Sequence, residues 1–318
     1  MLVRILSRVS IFLASLLASS ILVFLVMTLL PGDPARVALG VNASDEAVAT
    51  LRHTYGLDRA LPVQYLEWLK DLVTFDLGKS YISGALIAPQ IADRLQVTLL
   101  LVVVSMVIAL IVSLPLGTLS AVRHRHLDGV ALSALSQVGV SAPAFLLGIL
   151  LIALFAVTLG WLPAGGWTPP AQGPGLFARQ ILLPALSLGV VQGAVVARYV
   201  RSSVIDVMRE DYIRTARAKG LRPMPALIKH GLRNASIPVV TVLALQLATL
   251  LIGAVVVERV FVIPGLGSLL LDSVSNRDLL MVQDVVMVLV VAVLLVNLLV
   301  EVLYVVIDPR LRTVGGRS

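Results

Sequence analysis

The 318-residue chain contains no cysteine and few charged residues, and each shortage excludes a class of protein. Without cysteine, the chain can form no disulfide framework, thiolate zinc site, redox dithiol or lipidated cysteine. Charged residues make up 14% of the chain, compared with roughly 25% in soluble domains. Because 58% of the residues are hydrophobic, the chain cannot form a water-facing surface of ordinary size. The composition predicts an integral membrane protein.

Histidine is also scarce, and all four histidines lie in predicted loops: His53, His124, His126 and His230. No Ser–His pair can therefore form at membrane depth, which argues against an intramembrane serine protease. His124 and His126 could contact a metal ion, but no third ligand is visible, so an ordinary charged loop is the preferred interpretation. We predict no catalytic and no metal-binding residues.

A complete nucleotide-binding loop is missing too. Gly78-Lys79-Ser80 resembles the end of a phosphate-binding loop, but Val73 stands where that loop needs its first glycine. We therefore expect no nucleotide or other cofactor to bind this chain.

Six apolar runs are long enough to cross a bilayer, which takes about 20 residues. They are 9–30, 97–120, 132–160, 180–200, 236–258 and 282–306. The first run follows Arg4 and Arg8 and also fits a signal peptide, whose apolar part is usually about 7–15 residues long. It is longer than that and reaches Pro31 without a convincing cleavage site, which favours a retained first helix. The sequence thus predicts an all-α integral membrane protein with six transmembrane helices.

The basic residues indicate the orientation of these helices. With both termini in the cytoplasm, the inner segments carry 16 of the 25 Lys and Arg residues but only six of the 18 Asp and Glu residues. Cytoplasmic loops are enriched in Lys and Arg in this way. The net charge of +7 is therefore interpreted as a topology signal and not as a nucleic-acid-binding surface.

The predicted spans contain few ionisable side chains. Their polar residues are mainly Gln137, Gln192, Gln246 and Asn297, with Glu258 and Glu301 near their ends. Proton relays generally use Asp, Glu or His inside the spans. The sequence argues against a proton-driven secondary transporter and leaves a sodium-driven one open.

Two segments between the spans stand out. The long segment 31–96 contains apolar residues spaced for a short amphipathic helix near 63–73. The most basic stretch reads DYIRTARAKG from Asp211 and continues LRPMPALIKHGLRN. We predict a helix that ends at Gly220, a break at Pro223 and Pro225, and a second short helix near 226–234.

Small residues between the charges of this basic stretch would allow another backbone to approach closely, while the charges would steer and bind a partner. The alternative is that the arginines only contact lipid headgroups. On the other side, the turn from Glu258 to Gly267 fits either a re-entrant or interfacial element or a simple surface turn.

Much of the chain resembles the inner-membrane permeases of ABC-type importers, in the dipeptide/oligopeptide/nickel branch. The segments that carry this resemblance are 31–34, 56–58, 64–65, 76–78, 201–203, 211–221, 230–234, 237–241, 253–258, 261, 264–267, 297–301 and 308–310. The resemblance implies the type I importer permease fold, with a first helix at 1–30, an external segment at 31–96, a permease core at 97–306 and a cytoplasmic tail at 307–318. Within the core, it implies a cytoplasmic coupling loop at 201–235.

The resemblance also assigns roles to residues. The general Glu-Ala-Ala pattern of the coupling loop becomes Arg214-Thr215-Ala216, and only Ala216 and Gly220 match the general consensus. The implied ATPase-docking residues are Asp211, Tyr212, Arg214, Thr215, Ala216, Lys219, Gly220 and Leu221. The implied candidates for an external gate or turn are Glu258, Phe261, Pro264, Gly265 and Gly267.

The partners implied by the resemblance are a paralogous permease that forms a pseudo-symmetric heterodimer, two ATPase subunits that bind ATP and magnesium, an extracytoplasmic substrate-binding protein and membrane lipid. The expected location is the bacterial inner membrane. The expected substrates are dipeptides or oligopeptides, with nickel chelates or glutathione-like peptides as alternatives.

Overall fold

The computed structural model describes residues 2–30, 32–40 and 42–307, and the regular elements in this part of the chain are helical. In chain order they are α1 (Leu2–Leu29), α2 (Pro34–Leu39), α3 (Asp45–Thr54), α4 (Leu61–Thr74), α5 (Ile87–Val122), α6 (Leu127–Ser141), α7 (Ala144–Leu151, followed by a π-helix Ile152–Thr158), α8 (Pro174–Met208), α9 (Asp211–Ala218), α10 (Pro223–Ala226, followed by a π-helix Leu227–Gly231), α11 (Leu232–Val260), α12 (Leu266–Ser275) and α13 (Leu279–Ile307).

Five of these helices are long and apolar enough to cross a membrane, namely α1, α5, α8, α11 and α13, and the bent pair α6–α7 makes a sixth candidate. The predicted all-α membrane architecture is confirmed. The helices are longer than the predicted spans: α5 has 36 residues and α8 has 35. At 1.5 Å per residue each is over 50 Å long, against about 30 Å of hydrocarbon. Several turns of each helix therefore project beyond the bilayer core.

The predicted third span, 132–160, is broken by a sharp bend. The helix stops at Ser141, and α6 and α7 are bent by 99°. Ala142 has extended backbone angles (φ −84°, ψ 125°), as expected for a residue before proline, because the ring of Pro143 clashes with a helical predecessor. The proline thus ends one helix and precedes the next.

The predicted short helix near 226–234 is also wrong. Pro223 does not prevent a helix but begins one, and Pro225 lies in its first turn. The missing N–H of proline has no cost at that position, because the first N–H groups of a helix are unpaired anyway. From Pro223 the chain runs through α10 and a π-helical turn into α11 without interruption.

The chain divides into two compact units. The first comprises the described residues up to Val97 and those from Pro264 onward, and the second comprises Thr98–Ile263. In the first unit, α1 packs along α13, and α4 packs on α1 through Phe24 and Trp68. The indole Nε1 of Trp68 donates to Oδ1 of the fully buried Asp284 at 2.8 Å. The helix predicted near 63–73 is therefore confirmed as α4, and it is attached to two candidate spans.

In the second unit, α5 and α8 approach each other through small residues spaced four apart. These are Ser105, Ala109, Ser113, Gly117 and Ala121 on α5, and Ala185, Gly189, Gly193 and Ala197 on α8. A Cβ atom added at Gly189 would lie 2.7 Å from the carbonyl oxygen of Ser105, and one at Gly117 would lie 2.6 Å from that of Ala197. Small residues permit this backbone approach in membranes, where packing replaces the hydrophobic effect between helices.

Candidate functional site

The predicted docking stretch forms a separate helix, α9, between α8 and α10. The sequence predicts one continuous helical face through Ile205, Met208, Tyr212 and Ala216, and this is wrong. α8 ends at Met208, and Glu210 has extended backbone angles (φ −66°, ψ 145°). α9 can therefore point in a direction of its own.

One face of α9 is attached to its own chain. Ile213 is fully buried and Ala216 is 8% exposed. Both belong to an apolar cluster with residues of α8 and of the turn after α10, including Val204, Val207 and Leu227. Burying an isoleucine side chain stabilises by about 1.5–3 kcal/mol. The predicted docking residue Ala216 thus faces the core of its own chain, and Ile213 is an anchor that the sequence interpretation missed.

The opposite face of α9 is exposed and positively charged. Asp211, Arg214, Thr215 and Lys219 are all exposed, and so is Arg217. Arg214 Nη1 lies 3.6 Å from Asp211 Oδ1, but both side chains are mostly in solvent, where such a pair contributes little. The cationic groups on this face are therefore available to a partner.

α9 ends in a Schellman motif around Gly220. The N–H of Gly220 donates to the carbonyl of Arg217 at 2.9 Å, and the N–H of Leu221 donates to the carbonyl of Ala216 at 3.3 Å. This motif needs a left-handed residue after the cap, and Gly220 has φ +93°. Leu221 is half-buried and packs against the cluster around Ile213. The predicted end of the helix is confirmed.

Two hydrogen bonds connect this region to α11. Asn234 Nδ2 donates to the hydroxyl of Tyr212 at 3.0 Å, and the hydroxyl of Ser203 donates to the carbonyl of Ala235 at 2.7 Å. The first bond joins α9 to α11, and the second joins α8 to α11. Displacement of α9 would therefore act on two spanning helices together.

The predicted gate residues Glu258 and Phe261 are both fully buried in the second unit. The hydroxyl of Thr98 donates to Glu258 Oε1 at 2.6 Å. The carbonyl of Phe261 accepts from the N–H of Gly166 at 3.0 Å. A Cβ atom added at Gly148 would lie only 2.8 Å from the Phe261 ring. Phe261 therefore connects the end of α11 to α7 and to the loop after it.

The other three gate candidates belong to the first unit. Pro264 is half-buried, Gly265 and Gly267 are buried, and α12 begins at Leu266. Leu266 is fully buried, and α12 packs on α13. A simple surface turn does not fit these burials, which favour the re-entrant or interfacial element.

The polar residues of the spans include one direct pair. Gln192 of α8 donates through Nε2 to the side-chain oxygen of Gln246 of α11, and Gln192 is 6% exposed. Within the described residues, no group of three or more His, Cys, Asp or Glu residues could bind a metal ion. The exposed face of α9 carries Arg214, Arg217 and Lys219 in solvent.

Comparison with known proteins gives two family matches. The family described as "Binding-protein-dependent transport system inner membrane component" matches residues 113–313. The family described as "Binding-prot-dependent transport system membrane comp, N-term" matches residues 1–102.

Curated relatives match almost the whole chain. The glutathione transport system permease protein GsiC of Salmonella choleraesuis (strain SC-B67) is 43% identical, over 94% of this chain and 95% of the relative. The protein of the same name from Pectobacterium atrosepticum is 44% identical with the same coverage. That from Escherichia coli (strain K12) is 43% identical over 92% of this chain and 93% of its own.

Proposed function

Because the chain belongs to the family of binding-protein-dependent transport system inner membrane components, we propose that it forms one half of an import pathway for small peptides of the glutathione class. It is a permease subunit of an ATP-driven importer and not an enzyme. Similarity over 94% of the chain to permeases named for glutathione transport supports this substrate class. Dipeptides and longer peptides share the same backbone chemistry.

The proposed driving contact is the exposed face of α9. ATP binding closes two separate ATPase subunits, and α9 docked on one of them moves with it. The observation that carries this proposal is the burial of Ile213 opposite an exposed cationic face. A helix fixed on one side and free on the other transmits displacement to α8 and α11. ATP binding shifts the permease between its two states only if the closed ATPase pair binds one state more tightly.

The proposed assembly contains a second, paralogous permease subunit, two ATPase subunits that bind ATP and magnesium, and an extracytoplasmic binding protein. Both termini are proposed to lie in the cytoplasm, on the same side as α9. The support is the concentration of Lys and Arg in the segments on that side. The segment 31–86 then lies on the outer side, where the binding protein delivers substrate.

The orientation can be tested with single cysteines, because the native chain has none. Lys219→Cys places a thiol at the exposed end of α9, and Glu46→Cys places one on exposed α3. We expect a membrane-impermeant maleimide to label Glu46→Cys in intact spheroplasts and Lys219→Cys only after permeabilisation. Labelling in the reverse pattern would contradict the proposed orientation.

Substrate selection is expected to reside mainly in the binding protein, because few charged groups lie within the spans. The complete importer in proteoliposomes should accumulate radiolabelled glutathione when ATP is supplied to its ATPase side. Exchanging the binding protein for one that binds another peptide should change the accumulated substrate accordingly. Unchanged glutathione uptake after the exchange would place selection in the permease, and accumulation of a nickel chelate alone would overturn the peptide assignment.

A further inference from the structure

The first unit contains a cavity that the transport cycle described above does not use. Its volume is about 770 Å³, within the range of roughly 300–1,000 Å³ typical of small-molecule sites. The walls come from the end of α1, from α3 and α4, from the loop before α5 and from the start of α13. α1 and α13 are candidate spans, so the cavity lies where the membrane meets water.

Some of the charged groups in this wall already have partners. Arg52 Nε lies 3.6 Å from Asp33 Oδ2, and Arg59 Nη1 contacts Glu67 Oε1. The two charges within each pair neutralise each other. The selectivity of the cavity therefore depends on the remaining polar groups.

The remaining groups are one acid, one base and one amide. Asp71 and Lys79 both line the cavity, and neither side chain forms an ion pair within the described residues. Gln283 also lines it, is 8% exposed, and its side chain makes no hydrogen bond in the described part of the chain. Tyr81, another wall residue, adds a neutral hydroxyl, and burial raises its pKa to about 12.

The rest of the wall is apolar on the membrane side. Phe24, Met27 and Leu30 contribute from α1, and Leu279 and Leu280 contribute from α13. A ligand that fits this wall has a polar head with both charges and an apolar part that can continue along the spans. A small soluble peptide would satisfy the charges but leave the apolar side uncovered.

We infer that this cavity binds the headgroup of an aminophospholipid, with the ammonium at Asp71 and the phosphate at Lys79. The buried amide of Gln283 supplies a further hydrogen-bonding group for the ester oxygens. A carboxylate accepts hydrogen bonds from a primary ammonium, whereas a quaternary ammonium has no N–H group to donate. Phosphatidylethanolamine should therefore bind better than phosphatidylcholine, although both headgroups are zwitterionic.

The test uses the full-length permease in its purified complex, delipidated in detergent and titrated with phosphatidylethanolamine while native mass spectrometry records bound lipid. We expect phosphatidylcholine and phosphatidylglycerol to bind about tenfold more weakly. The double variant Asp71→Asn, Lys79→Gln should weaken phosphatidylethanolamine binding at least about tenfold, because hydrogen bonds between charged groups are lost.

The matched control is Glu46→Gln, Lys70→Gln, which removes one acid and one base from the exposed surface of the same segment, outside the cavity. It should bind lipid like the native protein. Equal binding by the cavity variant and this control, with unchanged thermal midpoints, would overturn the inference. Displacement of the lipid by millimolar reduced glutathione would also overturn it, because the site would then take a soluble zwitterion. Neither result depends on uptake, so the proposed transport function is tested separately.

Discussion

Replacing Gly220 with valine should leave the permease inserted in the membrane but reduce coupled uptake at least about fivefold. Gly220 has φ +93°, and nothing lies within 4 Å of an added Cβ, so the cost is backbone strain and not a clash. Left-handed backbone costs roughly 1–2 kcal/mol for an L-residue, and a β-branched residue is least suited to it. A cost of that size changes the population of the native helix end by a factor of about 5–30.

The measurement is ATP-driven peptide uptake and ATP hydrolysis by the complete importer in proteoliposomes. Hydrolysis should continue while uptake falls, because the end of α9 no longer fits its partner. Gly220→Asn should retain more uptake than Gly220→Val, since asparagine tolerates left-handed backbone.

Gly40→Val is the matched control for this variant. Gly40 has φ +84° and also has nothing within 4 Å of an added Cβ, but it lies at the end of α2, away from α9 in the sequence. With φ +84° and ψ 170°, Gly40 lies in a region that almost only glycine adopts, so valine there should be strained at least as much, yet coupling should be kept. Full uptake by Gly220→Val would show that the end of α9 plays no part in coupling.

Replacing Gly189 with alanine should destabilise the second unit by about 1–3 kcal/mol, the usual cost of overpacking. The added Cβ would lie 2.7 Å from the carbonyl oxygen of Ser105 and equally close to the side chain of Ile108. A backbone carbonyl cannot rotate away, so α5 and α8 must separate. The expected readouts are less monodisperse protein after solubilisation and a thermal midpoint lower by about 2–4 °C per kcal/mol.

Gly175→Ala provides the comparison within the same helix. Nothing lies within 4 Å of a Cβ added there, and alanine favours a helix over glycine by up to about 1 kcal/mol. This variant should be as stable as the native protein or slightly more so. If both variants behaved alike, close contact between α5 and α8 would not be what limits the stability of the second unit.

Spanning segments were predictable because an apolar run of sufficient length has no other stable place than a membrane. Their ends were less predictable, because a proline can either end a helix or begin one. Pro143 ends one helix and precedes another, whereas Pro223 opens a helix that continues through α11. The distinction depends on whether the following residues pack, and Leu227 is buried against α8 and α9. Local sequence does not carry that information.

The position of the site was predictable, but which side of α9 is buried was less so. The charges of 211–222 and the end of α9 at Gly220 followed from residue types alone. The inward direction of Ala216 depends on the turn of the chain at Glu210, which rotates α9 relative to α8. Ile213 and Ala216 stand three apart among polar residues, and that spacing could have identified the buried face. The bond between Trp68 and Asp284 spans 216 positions and has no local signature.

The bend between α6 and α7 has a further consequence for the assembled importer. The last carbonyls of α6 and the first N–H groups of α7 have no partner within their own helices, and Ser141 and Pro143 are exposed on the isolated chain. Fatty acyl chains cannot satisfy such groups, each of which costs several kcal/mol in hydrocarbon. The surface of the subunit around this bend therefore contacts water, solute or a neighbouring polypeptide, and not lipid.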